Sequence, residues 1–308
     1  MSQQAQVCVV GSTNIDLTFR TARLPKPGET LAGHGFQLGH GGKGANQAVM
    51  AARLGARVTM VGKVGRDVFG EGALSNYREH GIDTTHVLID AERSTGVASI
   101  VVDDAARNCI IVVPGANLGL TPDDVRAAAP AIAGAGVLLC QLEVPLETVA
   151  EALRIAKAAN VTTMLNPAPA VALPDELLHL ADVCVPNENE IELLTGGHTA
   201  ATVQEAAAAA WELLRRGPHT VIVTLGERGA LIADAGSAEH LAAPRVEAVD
   251  SSGAGDAFIG ALGVFLAEGA PLREAVRRAN AVAALSVTRL GTQASFPTRA
   301  QVDQMLIA

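Results

Sequence analysis

The sequence predicts an α/β fold: a three-layer, parallel-sheet core with helices on both faces, plus a small inserted β-sheet. Three observations predict it. Short runs that are almost wholly apolar alternate with longer segments of helical period, the pattern of parallel strands covered on both faces. Strand–helix alternation of that kind places helices on both sides of the sheet. Two stretches, Ile15–Leu38 and Thr95–Pro114, break the alternation, because neither carries a helical period of its own.

Val7–Val10, Val58–Val61, Val137–Leu139, Val161–Leu165, Val183–Val185 and Val221–Thr224 read as core strands. Gly44–Leu54, Leu146–Ala159 and Val203–Arg216 read as helices between them, and Ala206–Ala210 is a strong helix former. In the first irregular stretch, Leu24-Pro25-Lys26-Pro27-Gly28-Glu29 marks a turn between extended segments. In the second, Gly96–Val102 and Cys109–Val113 flank the polar Asp103–Asn108. Together they read as a small antiparallel sheet, or alternatively as an edge extension of the main one. Both faces of Val97–Val102 carry apolar side chains, so both are expected to be covered, one by a second subunit.

The chain has 308 residues, 49% of them apolar and 18% charged, a composition that supports a substantial packed core. Its formal net charge of -9 argues against nucleic acid or an anionic membrane as the main partner. A compact polyanion such as ATP still fits, because a helix N-terminus acts locally. Cys8, Cys109, Cys140 and Cys184 are isolated in apolar, strand-like runs, so buried free thiols are expected. Met1–Gln6 is polar, without the basic-then-apolar layout of a signal peptide, and no apolar run approaches the ~18 residues of a membrane span. A cytoplasmic location is the expectation.

The most informative stretch is Asp250-Ser251-Ser252-Gly253-Ala254-Gly255-Asp256-Ala257-Phe258. A short strand, Val246–Val249, is expected to lead into small residues and then into a helix with apolar positions at Phe258, Leu262 and Phe265. Gly253, Ala254 and Gly255 would leave the first N–H groups of that helix unobstructed, a site for a transferring phosphoryl group. Asp256 stands at its edge, either as a general base or as an ordinary helix cap. A carboxylate suffices as base, because in a loose phosphoryl-transfer transition state the hydroxyl proton can leave late.

Gly41-Gly42-Lys43-Gly44-Ala45-Asn46-Gln47 forms a second cluster. It is not a Walker A loop, since Gln37 stands where glycine is needed and Gly44 follows the lysine. Gly41-Gly42 can act as a hinge, with Lys43 and Asn46 on one helical face; a plain helix start is the other reading. Asn14 and Asp16 flank Ile15 and point to one side of an extended chain, suited to neighbouring hydroxyls or to a turn. Asn187 and Glu190 again share a helical face. Thr224-Leu225-Gly226-Glu227-Arg228-Gly229 ends a strand as a nucleotide-holding loop would. Both lie at C-terminal strand ends, where open α/β sheets bind ligands.

Taken in order, these segments resemble the ribokinase family, also called the PfkB carbohydrate kinases. The Gly41–Ala48 run and the Asp250–Asp256 run match its two signatures, and Asn187–Glu190 and Thr224–Gly229 its nucleotide-side motifs. The resemblance covers essentially the whole chain. It implies ATP-dependent phosphorylation of a sugar's primary hydroxyl, with Asp256 as base and the amides of Gly253, Ala254 and Gly255 as an anion hole. It implies a sugar site of Asn14, Asp16, Gly42, Lys43, Asn46 and Glu143. Asn187 and Glu190 fall on the ATP–Mg²⁺ side, Glu190 acting through water. Thr224, Leu225, Gly226, Glu227, Arg228 and Gly229 belong to the nucleotide loop, near Gly255. A K⁺ ion is implied beside the anion hole at Asp250, Ser252, Ser286, Arg289, Gly291 and Ser295, mostly through backbone oxygens. The inserted sheet corresponds to the family's lid, which closes over the sugar and often forms a homodimer contact. One unit over 1–308 then divides into a core of 1–13, 43–94 and 116–308 and a lid of 14–42 and 95–115. At Asn280, close relatives often carry His near the adenine, so that contact departs from the pattern.

Asp16 paired with Asn14 favours adjacent ring hydroxyls, which ranks D-ribose, phosphorylated at its 5-hydroxyl, above 2-deoxyribose; fructose is a further alternative acceptor. Six Phe, one Tyr and one Trp leave few rings on which a nucleoside could stack. A non-catalytic sugar sensor would lack the base or the anion-hole glycine, and both are present. His34 and His40, six apart in a glycine-rich turn, are poorly spaced for a metal.

Overall fold

The computed structural model describes residues 4–105 and 107–307, so the chain limits at 1–3 and 308 lie outside the described residues. Nine strands form one sheet: β1 (Gln6–Val10), β4 (Arg57–Gly65), β5 (Asp83–Asp90), β8 (Val137–Cys140), β9 (Thr162–Leu165), β10 (Val183–Cys184), β11 (Thr220–Thr224), β12 (Ala230–Ala233) and β13 (Ala238–Leu241). Their spatial order is β13-β12-β11-β10-β9-β8-β1-β4-β5, parallel from β5 through β11 and antiparallel for the last two.

Period-two alternation splits the core into two apolar layers. Val7 and Val9 of β1 face the helices Lys43–Arg53, Ala254–Ala267 and Leu272–Ser286, while Cys8 and Val10 face Leu146–Ala158 and Val203–Leu214. No helix among the described residues is long and apolar enough to cross a membrane.

A second sheet contains β2 (Asn14–Thr21), β3 (Gly35–Gly41), β6 (Gly96–Asp103) and β7 (Asn108–Val113), in the order β3-β2-β6-β7. It is separate from the large sheet, which decides against an edge extension. It is also mixed rather than antiparallel: β2 and β6 run parallel, with β3 and β7 antiparallel outside them. The cause is the path between β2 and β6, which passes through core elements and returns in the same direction. Register places Leu17 and Phe19 beside Leu38 and Phe36, and Leu17 beside Ser99, itself opposite Ile111. This face, turned away from the Asn14–Asp16 side, leaves Phe36 61%, Leu38 49% and Ile111 63% exposed, so the expected cover is not supplied by the chain itself.

Other expectations also need correction. Val246–Val249 is not a strand; its end is held by Val249 N donating to Val287 O at 2.7 Å. Cys109 is exposed on the edge strand β7, whereas Cys8, Cys140 and Cys184 are buried, and all four are free thiols. Strands β5 and β13 carry no clean apolar run, since each mixes polar and apolar residues at a sheet edge, whereas β12 (Ala-Leu-Ile-Ala) is wholly apolar and buried and escapes a sequence reading only because it is short.

Candidate active site

The ends of the large sheet and three helix starts meet around one cleft of about 200 Å³, whose lining does not include the predicted sugar-side residues Asn14, Asp16, Gly42, Asn46 and Glu143. Lys43, Asn187, Glu190, Thr224, Gly253, Ala254, Gly255 and Asp256 line it, as the sequence motifs predict. Asn166, Ala168, Val185, Ser251 and Ile259 join them without having been singled out in the sequence.

Asp256 occupies the first turn of the helix Ala254–Ala267 and is buried. It is not a cap. Gly253 holds the N-cap position in the left-handed region, φ 74°, with no side-chain cap. Instead, Asn46 Nδ2 donates to Asp256 Oδ2 at 2.9 Å and Gln47 Nε2 donates to Oδ1 at 3.1 Å, both from the helix Lys43–Arg53. Of the three predicted anion-hole amides, that of Ala254 donates to Ser251 O at 3.2 Å and closes a tight turn before the helix.

Close contact between the two helices makes this possible. Gly260, one turn beyond Asp256, lies so near the other helix that a Cβ there would meet Gln47 O at 2.6 Å. Any side chain would push Asn46 and Gln47 away from the carboxylate.

Lys43 begins its helix immediately after Gly42, whose φ of 89° turns the chain out of β3. Its backbone N–H donates to Glu143 Oε2 at 3.0 Å, and the Ser12 hydroxyl donates to the same oxygen. Burial disfavours the Lys43 ammonium, but Asp256, Glu143 and Glu190 outweigh it and hold its pKa above the ordinary value. Asp16 lies in the opposite field. Burial, then Glu143 and Asp256, push its carboxyl up to about 6.

Asn14 is clasped by a residue that sequence reasoning missed. Asn117 Oδ1 accepts from Thr13 N at 2.9 Å, while Asn117 Nδ2 donates to Thr13 O at 3.1 Å and to Asn14 Oδ1 at 2.8 Å. The Asn14 amide therefore has its oxygen occupied and its Nδ2 left as the free donor.

On the other side of the cleft, Asn187 caps the helix Glu188–Leu194 in a reciprocal box with Glu190. Asn187 Oδ1 accepts from Glu190 N at 2.9 Å, and Glu190 Oε2 accepts from Asn187 N at 2.8 Å. Burial raises the Glu190 pKa against the effects of the Asn187 amide and Lys43. The shared helical face thus has a structural use as well as a place in the cleft.

The nucleotide-loop residues divide. Thr224 bridges to Asn187 and reaches the cleft, whereas Leu225–Gly229 form a tight hairpin in which Leu225 N donates to Gly229 O at 2.8 Å. Glu227 sits in its short 3-10 turn, Gly226–Arg228. Arg228 is tied to Ala201 O at 2.6 Å and to Glu188. Asn280 is buried with Nδ2 donating to Leu241 O at 3.0 Å, outside the cleft lining.

No group of three or more His, Cys, Asp or Glu side chains that could hold a metal ion occurs among the described residues. The residues predicted for K⁺ are partly brought together. Asp250 Oδ1 accepts from Ser252 N and Oδ2 from Gly291 N, each at 2.9 Å, joining two distant loops. The Ser286 and Ser295 hydroxyls donate to Ala283 O and Thr292 O, both at 2.8 Å, and Arg289 is exposed. One carboxylate with backbone carbonyls suits a hard monovalent ion better than a transition metal.

The model of the pfkB family carbohydrate kinase matches residues 4–299. The chain belongs to that family of kinases. Mouse ribokinase is 44% identical over 300 residues, covering 96% of this chain and 93% of that one. A deoxyribokinase of Salmonella typhi is 42% identical over 301 residues, covering 97% and 98%. Among solved structures, ribokinase of Thermotoga maritima superposes with a TM-score of 0.90 at 37% identity, covering 99% of this chain and all of that one. Arabidopsis thaliana ribokinase complexed with ribose and ATP gives 0.92 at 32% identity, covering 99% of each chain.

Proposed function

We propose that the protein transfers the terminal phosphoryl group of ATP to the 5-hydroxyl of D-ribose, giving ribose 5-phosphate and ADP. One observation carries this reading: the Asp256 carboxylate stands at a helix start beside a small-residue loop, in the cleft that also receives Lys43. The hydroxyl would lie against Asp256, which takes its proton late in the transfer. Lys43 and the first amides of the helix Ala254–Ala267 would offset charge on the transferred group. Gly42, Asn46, Glu143, Asn14 and Asp16 bind and orient the sugar: Asn14 Nδ2 donates to a ring hydroxyl and ionised Asp16 accepts from its neighbours.

Asn187, Glu190 and Thr224 would face the nucleotide, and Glu190 would hold a water of its Mg²⁺. When bound, that cation neutralises phosphate charge. Asp250 with the carbonyls around Ser252, Gly291 and Ser295 is suited to K⁺. Equal rates in Na⁺-only and K⁺ buffers would remove the K⁺ assignment.

The small sheet acts as a lid, and its outer apolar face pairs with a second copy of the chain. Phe19 and Phe36 pack there as a tilted pair, 5.2 Å between ring centroids, beside exposed Leu38 and Ile111. An Ile111→Asp variant is expected to sediment as a monomer; unchanged sedimentation would refute the pairing. A cytoplasmic site agrees with four free thiols and ATP as substrate.

The deoxyribokinase relative gives 2-deoxyribose as the second reading. ATP consumption against ribose, 2-deoxyribose, fructose and nucleosides tests both. Ribose is expected to give the highest kcat/KM, and turnover of another acceptor without ribose would overturn the substrate assignment.

A further inference from the structure

Two chains of side-chain amides, buried except at the half-buried Asn76, converge on Asp256. On one side Asn76 Nδ2 donates to Gln293 Oε1, Gln293 Nε2 to Asn46 Oδ1, and Asn46 Nδ2 to Asp256 Oδ2, every step at 2.9 Å. On the other, Gln141 Nε2 donates to Gln47 Oε1 at 2.6 Å, and Gln47 Nε2 donates to Asp256 Oδ1 at 3.1 Å and to Asn166 Oδ1 at 3.3 Å. Gln47 and Gln141 are wholly buried, and Asn46 and Asn166 nearly so.

A carboxamide has one accepting end and one donating end, so each link dictates the next. With Gln47 Oε1 occupied by the Gln141 N–H, only N–H can face Asp256. Reversing the chain would aim Gln47 Oε1 at the carboxylate, oxygen against oxygen. The root of the chain shows what this direction costs: Gln141 Oε1 is buried and has no hydrogen-bond partner among the described residues. An orphaned acceptor is retained at one end where a carboxylate demands a donor at the other.

We propose that Gln47 is a positioning residue for phosphoryl transfer. It fixes the rotamer of Asp256 and supplies an N–H to Oδ1, leaving the remaining lone pairs for the substrate hydroxyl. This rests on the reading of Asp256 as the base. Gln47 does not line the cleft. A change there reaches turnover through the carboxylate and not through contact with sugar or nucleotide. The charged groups around Asp256, namely Lys43, Asp16, Glu143 and Glu190, are untouched by it.

Three variants of the full chain test this, assayed by ATP consumption with ribose across pH 6 to about 9. Gln47→Leu is expected to lower kcat about tenfold or more, with KM for ribose and ATP within about threefold, because a displaced reacting group costs rate before binding. Gln47→Glu keeps the shape. Its protonated carboxyl can still donate to Asp256, but its ionised form repels it. Its activity is expected to fall as pH rises, where that of the parent protein does not. A merely structural role would not produce this reversal. A Gln47→Glu profile parallel to the parent's, an unchanged kcat in Gln47→Leu, or a loss in Gln47→Leu carried by KM with kcat preserved, would overturn the proposal. If Gln47→Leu fails to fold, the Gln47→Glu profile decides. Asp256→Ala separates the two readings. Retained turnover in it removes the base and this proposal together, whereas lost turnover beside a parallel Gln47→Glu profile removes this proposal alone.

Discussion

Asn46 and Asp256, 210 residues apart in the chain, meet at 2.9 Å between Nδ2 and Oδ2. That contact rules out the capping reading that the local sequence around Asp256 left open. A capping aspartate turns its oxygens back on its own helix; this one gives both oxygens to a different helix. The carboxylate is therefore held from outside, in a fixed position at the cleft.

Replacing Asp256 by Ala should lower kcat at least ~100-fold, the range for loss of a general base, while ribose still binds by calorimetry. Asp256→Asn should be no milder. Its amide presents N–H where either Asn46 or Gln47 already donates, so one of two buried donors loses its acceptor. A near-normal kcat in either variant would end the assignment.

Asp16 predicts a pH dependence of sugar binding. Burial, Glu143 and Asp256 raise its carboxyl from 3.8 to about 6. The folded protein therefore binds more protons than the unfolded chain between those values, and this group's contribution to stability declines as pH rises through that window. Ribose binding runs the other way, because only the ionised carboxylate accepts from two hydroxyls. KM for ribose should rise roughly tenfold per pH unit below about 6. Asp16→Asn should have a high KM that no longer follows pH over this range; a KM for the parent protein flat from pH 5 to about 7 would contradict the role.

Asn117 makes a separable prediction. Asn117→Ala removes the acceptor for Thr13 N–H and the donor to Asn14 Oδ1, both buried. Each orphaned group costs about 1–3 kcal/mol, so denaturant unfolding should show a loss of about 2 kcal/mol or more. Freed to rotate, Asn14 should raise KM for ribose and leave KM for ATP unchanged. Equal effects on both would mean that only the fold had been damaged.

The core strands β1, β4, β8 and β11 were legible because burial on both faces makes them continuous apolar runs. β5 and β13 were not, because an edge strand alternates with polar residues as loops do. Cleft-lining residues within a motif, such as Lys43, Glu190 and Asp256, were legible through their spacing from glycines and strand ends. Asn117, Gln141 and Gln293 were not. Each acts through a contact that crosses tens to hundreds of residues, and an isolated Asn or Gln carries no local pattern to mark it. The Val246–Val249 strand failed for the opposite reason: its apolar ends suit a strand, but among the described residues no strand pairs with it.

Gly260 tests whether the helix contact, rather than any single side chain, sets the base. A Cβ at 260 would lie 2.6 Å from Gln47 O and 2.9 Å from Met50 Cβ. The first is backbone and cannot rotate away, so Gly260→Ala must move one helix relative to the other. Overpacking of this kind costs about 1–3 kcal/mol, partly offset by the better helix propensity of alanine. The larger effect should fall on rate. Lengthening the bonds from Asn46 and Gln47 to Asp256 loosens the carboxylate, and a displacement of about 1 Å at a reacting group is worth up to ~100-fold. Gly263, one turn further along, offers the control: its Cβ would meet Leu139 Cδ2 at 3.0 Å, the end of a side chain on the sheet and not the backbone of the other helix. Gly263→Ala should therefore cost stability with kcat preserved, whereas Gly260→Ala should lose kcat well beyond its loss of stability. Equal kcat in the two variants would show that the spacing of these helices does not govern the position of Asp256.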